Sequence, residues 1–112
     1  TKCLLASRAG DRGVAVHYRP ETLPYFSQWK NTVAEADGYV TGLEPGTGFP
    51  NPRSFEELHG RLVQLQAGES REFVLAIEGI SSAKRIAELK RELDGVAPST
   101  SAFEADWCVA ES

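Results

Sequence analysis

The acid–base chemistry this sequence can offer centres on one carboxylate. Glu44 stands at the mouth of Gly42-Leu43-Glu44-Pro45-Gly46-Thr47-Gly48-Phe49-Pro50-Asn51-Pro52, which holds three Gly and three Pro in eleven residues. A carboxylate can take a proton and a nearby histidine can give one, the pairing that general acid–base catalysis requires. The chain has two histidines, His17 and His59. His17 alternates within an extended run and His59 ends a turn beside Gly60, so each reads first as a structural or surface histidine. Just upstream, Tyr25-Phe26-Ser27-Gln28-Trp29-Lys30 is the most aromatic stretch. Trp29 and Gln28 near a carboxylate suit a sugar, because an aromatic face packs on apolar C–H surface while an amide bonds hydroxyls. The plain alternative makes Phe26 and Trp29 core residues and Glu44 an ordinary surface side chain at the end of a strand.

Several elements must place these residues. The density of Pro and Gly in 42–52 excludes a helix, so the segment reads as a rigid, irregular loop. Before it, Tyr39-Val40-Thr41-Gly42-Leu43 alternates as a strand does, which puts Val40, Gly42 and Glu44 on one face. Gly42 beside Glu44 leaves space for a ligand or another backbone. Residues 25–30 read as a strand with Tyr25, Ser27 and Trp29 on one face and Phe26, Gln28 and Lys30 on the other. Residues 3–8 and 14–19 form a hairpin around the Gly-containing turn 9–13. Ser54 to Glu57 matches a capping box, opening one helical turn that ends at Gly60. Residues 61–66 and 71–78 read as a second hairpin through the turn 67–70. Ser81 or Ser82 caps a helix running to Leu93, with Ile86, Leu89 and Leu93 on one stripe and Gly95 as its C′ stop. Strands followed by one late helix predict a mostly β chain, an antiparallel β-sandwich with one C-terminal helix. Residues 1–96 make the body and 97–112 a tail bearing Phe103, Trp107 and Val109.

Composition narrows the function classes. The chain has 112 residues, 41% hydrophobic and 25% charged, with a formal charge of −4, an ordinary soluble composition that argues against a nucleic-acid partner. Lys84, Arg85, Lys90 and Arg91 alternate with Glu88 and Glu92, the pattern of a solvated helix face. No apolar run reaches the length of a membrane span and no signal peptide opens the chain, so no membrane partner and a cytoplasmic location are expected. Met is absent, which predicts a trimmed chain or a piece of a longer parent. Cys3 and Cys108 are read as free thiols, since two distant cysteines make neither a disulfide framework nor a zinc site. Phosphate-binding glycine motifs, H-E-x-x-H and G-x-S-x-G are missing. No metal and no cofactor are expected.

The long loop resembles the glutamate-bearing loop of the galactose-mutarotase-like (aldose 1-epimerase-related) proteins, and looks closest to an uncharacterised branch of that superfamily. Phe26-Ser27-Gln28-Trp29-Lys30-Asn31 resembles the same branch, as does Gly60-Arg61-Leu62-Val63 with Gly68-Glu69-Ser70-Arg71-Glu72-Phe73. The likeness runs from about residue 11 to residue 80. It implies a β-sandwich holding sugars in an open cleft, in which Glu44 matches the general base that takes the anomeric hydroxyl proton. A family histidine protonates the ring oxygen, but neither His17 nor His59 matches that position. The family domain is more than twice as long, so the chain resembles its C-terminal portion.

Three functions follow as expectations. The first is a carbohydrate-binding module derived from the epimerase fold, with weak or no mutarotase activity and a small-molecule sugar bound by Gln28, Trp29, Gly42, Glu44, His17 and His59. The second is an active epimerase completed by oligomerisation, with His17 or His59 recruited as acid. The third is a structural β-domain without ligand. A homodimer is expected in each case, because a partial sandwich leaves strand edges and apolar surface to cover.

Overall fold

A computed structural model describes residues 1–96. In chain order it contains β1 (Lys2–Ala6), β2 (Gly13–Tyr18), β3 (Tyr25–Lys30), a 3₁₀ turn (Glu35–Asp37), β4 (Thr41–Gly46), α1 (Arg53–Leu58), β5 (Leu75–Ile80) and α2 (Ala83–Asp94). The mostly β architecture expected from the sequence is present, as five strands in two antiparallel sheets with a helix at the C-terminal end of the described chain. Residues 1–18 and 74–96 form one compact unit and residues 19–73 another. Phe103, Trp107 and Val109 of the expected tail, and Cys108 read as a free thiol, lie outside the described residues.

The first unit is a three-stranded antiparallel sheet in the order β1-β2-β5, with α2 on one face. The expected β1–β2 hairpin is closed by Ser7: its N–H donates to the Arg12 carbonyl at 2.8 Å and its Oγ accepts from the Arg12 N–H at 3.3 Å. Gly10 supplies the positive φ of that turn, at 72°. Gly13 meets a different demand, since a Cβ there would sit 2.7 Å from the Leu5 carbonyl oxygen. Opposed residues share a face, so Leu4, Ala15 and Glu78 line up toward α2, with Ala6, Gly13 and Ile80 beside them. Ile86 and Leu89 of α2 are fully buried against Ala15 and Ile80, flanked by Leu4 and Ala6. The helix begins as expected at Ser82, whose Oγ accepts from the Arg85 N–H at 3.4 Å. Its end differs. Gly95 stays right-handed at φ −73°, so the helix stops without the left-handed glycine the sequence predicts.

Two further expectations are corrected. Residues 61–66 and 71–74 form no strand, and the second hairpin is absent. Its turn exists, with Gly68 at φ 79° and the Glu69 N–H donating to the Gln66 carbonyl at 3.0 Å. Leu75–Ile80 pairs instead with β2, from Tyr18↔Leu75 to Gly13↔Ile80. A two-stranded hairpin alone is marginal in water, whereas the third place in a sheet backed by a helix buries Ile80. The capping box is also absent. Pro52 is the N-cap of α1 and no side chain caps it.

The second unit is built on the two-stranded ribbon β3–β4. β3 spans the residues expected, but β4 runs through Pro45 to Gly46, well into the stretch predicted as irregular. Pro45 is tolerated because the ribbon has an outer edge, where a missing N–H donor breaks no ladder. Gly38 closes the 3₁₀ turn in the left-handed region at φ 89°.

Candidate functional site

The register of the ribbon decides which side chains meet. Tyr25 pairs with Gly46, Ser27 with Glu44 and Trp29 with Gly42, so these six residues form one face. Phe26, Gln28 and Lys30 take the other face, opposite Pro45, Leu43 and Thr41. Trp29, Gly42 and Glu44 are thus brought together, while Gln28 points away from them. Glu44 is exposed and Trp29 is 52% exposed. The Glu44 side chain folds back along its own strand. A Cβ on Gly42 would collide with Glu44 Oε1, so the vacancy predicted at Gly42 is the space its neighbour's carboxylate uses. The carboxylate therefore lies directly across from Trp29. No hydrogen bond or ion pair holds it among the described residues.

The loop after Glu44 is held by a residue that sequence reasoning placed only within a helix cap. Glu56 is 4% exposed, and its two oxygens accept four hydrogen bonds. Arg61 donates from Nε and Nη2, each at 2.8 Å, Asn51 Nδ2 donates at 2.9 Å and the Phe49 N–H at 3.0 Å. Arg61 is itself buried, with its guanidinium 5.2 Å from the centre of the Phe49 ring and 5.8 Å from that of Phe55. Hydrogen bonds from Arg61 outweigh the cost of burial, and with those from Asn51 and Phe49 they bring the Glu56 carboxyl down to about 2. A Cβ on Gly48 would stand 2.9 Å from Glu56 Oε2. The clamp reaches the ribbon through rings, since Phe49 packs on Tyr25 with centroids 4.7 Å apart. The sequence signal was a Glu and an Arg five residues apart across a helix end, a spacing that passes unnoticed when both are taken as surface charges.

The two histidines are placed separately. His59 caps the C-terminus of α1, exposed, with its ring 4.2 Å from that of Phe55 and Nδ1 2.8 Å from the Phe55 carbonyl oxygen. His17 belongs to the first unit, where its Nε2 lies 3.1 Å from Glu78 Oε2. Arg85 grips the same carboxylate, with Nε donating at 2.6 Å and Nη2 at 3.0 Å. Arg85, then His17, hold the Glu78 carboxyl down at about 2 against the opposing effect of burial. Lys2 and Glu92 pair alongside, and Arg85 lies 3.8 Å from Glu92. This cluster fastens α2 to its sheet. Among the described residues no group of His, Cys, Asp and Glu could hold a metal ion, and no helix is long and apolar enough to cross a membrane.

Residues 1–78 match a domain of unknown function, DUF4432. The chain belongs to the DUF4432 family. The matched region takes in the β3–β4 ribbon, Glu44 and the whole Glu56–Arg61 clamp. No curated protein and no solved structure matches the chain.

Proposed function

We propose that this member of the DUF4432 family is a carbohydrate-binding module in which the Glu44 face of the ribbon receives a small sugar. One observation carries the reading: a carboxylate with no partner among the described residues is laid over a glycine directly opposite a half-exposed tryptophan. An indole face packs on the C–H surface of a pyranose, and a carboxylate accepts from its hydroxyls. The likeness of the loop to that of galactose-mutarotase-like proteins supports the same use of Glu44.

Catalysis in this reading is weak or absent. Glu44 could take a proton, but ring opening also needs an acid at the ring oxygen. His59 is engaged with the Phe55 carbonyl and His17 with Glu78. General acid–base steps contribute about 100- to 10,000-fold each, so a base alone leaves most of the acceleration unrealised.

Glu44→Gln tests the proposal. The isosteric amide should leave the melting temperature within about 2 °C of wild type, as exposed substitutions rarely exceed 0.5 kcal/mol. Binding across a panel of aldoses, followed by amide NMR shifts in residues 25–30 and 41–46, should weaken at least severalfold. Equal binding by wild type and variant would remove Glu44 from the site. Anomer exchange followed by NMR should show no acceleration beyond the buffer rate.

A further inference from the structure

The charge on the proposed sugar face is unbalanced. Of its six residues, Tyr25, Ser27, Trp29, Gly42, Glu44 and Gly46, only Glu44 is charged. Lys30, the one cation in either strand, is on the opposite face. Of the cations that follow the loop in sequence, Arg53 is exposed at the start of α1, and Arg61 already spends two donors on Glu56 at 2.8 Å. The Glu44 carboxylate also lies over Gly42, the residue paired with Trp29.

An aromatic face and a carboxylate side by side are the two groups that attract a cation. The ring does so through the negative potential of its face, the carboxylate by direct charge. A neutral sugar would use only the hydrogen-bonding capacity of Glu44, and an acidic sugar would be repelled by it. We infer that the Glu44–Trp29 face selects amino sugars, whose ammonium group would sit between the carboxylate and the indole, over neutral and acidic sugars. This rests on the proposed sugar-binding reading and adds charge selection to it. Two exposed interactions of this kind together favour the cationic ligand by about three- to tenfold.

The test compares glucosamine and galactosamine with glucose, galactose and glucuronate at pH 6, using amide NMR titrations of the full chain at low and at 0.5 M salt. The expected result is about three- to tenfold tighter binding of the amino sugars at low salt, narrowing at high salt as charge is screened. Glucuronate should bind most weakly. Glu44→Gln should abolish the preference, leaving amino and neutral sugars bound equally and both more weakly than by wild type, and Trp29→Ala should weaken both classes. Neutral sugars binding as well as amino sugars would overturn the charge selection and leave the sugar site standing. Absence of shifts with every sugar would overturn both.

Discussion

At the scale of single residues, the sequence marks Glu44 through its setting, since Pro and Gly on both sides single out one carboxylate. It marks Gly42 as leaving room for a ligand or another backbone, whereas that room is taken by the Glu44 carboxylate itself. Glu56 is harder to read. Its neighbour Glu57 has the same chemistry, and only the three-dimensional return of Asn51, Phe49 and Arg61 makes one of them a buried hub. The distinction is measurable. Arg61→Ala would leave the Glu56 charge buried without its main partner, and breaking such a pair costs about 3–5 kcal/mol. Urea unfolding should show that loss for Arg61→Ala, and less than about 0.5 kcal/mol for Glu57→Ala at an exposed site. Similar midpoints for the two variants would mean the clamp does not stabilise the unit.

Legibility at the scale of elements followed the range of the interactions involved. β3 and α2 were readable because their signals are local: alternation with aromatic residues in one, a serine cap and an apolar stripe in the other. Extended structure at β5 is legible in the sequence, but its partner is not. Its true neighbour is β2, and the His17–Glu78 contact spans 61 positions, beyond what any local pattern encodes. The long loop shows the same division. The density of Pro and Gly marks 42–52 as rigid, yet neither Gly46 nor Gly48 has the positive φ that would restrict the backbone to glycine. Rigidity comes from contact instead: Gly48 admits the Glu56 carboxylate at a distance where a Cβ does not fit. Gly48→Val should therefore cost more than about 1 kcal/mol by displacing Glu56. Gly48→Val made in a Glu56→Gln, Arg61→Met background should cost distinctly less, because the contact it disrupts has already been altered. An equal cost in both backgrounds would place the constraint in the backbone and not in the clamp.

For the molecule as a whole, the mostly β class followed from the strand count, whereas its division into two units did not, because residues 1–18 and 74–96 join across 55 intervening positions. Each unit carries one carboxylate held far below its ordinary range, Glu56 in one and Glu78 in the other, both moved from 4.5 to about 2. A carboxyl depressed on folding binds its proton less readily in the native state than in the unfolded chain. Its stabilising effect is complete above about pH 4.5 and is lost as pH falls toward 2. Both units should therefore lose stability over that same acid window, with little dependence on pH just above it from these two groups. Replacing the carboxyl with an amide removes the titration, so urea unfolding of Glu56→Gln should depend less steeply on pH between 4.5 and 2, even though the variant is less stable at neutral pH. Amide signals of residues 41–61 should report that flattening for Glu56→Gln, and those of β2 and α2 for Glu78→Gln. If wild type and both variants fell with the same slope, acid sensitivity would belong to the other carboxylates of the chain, and neither buried clamp nor helix tether would control it.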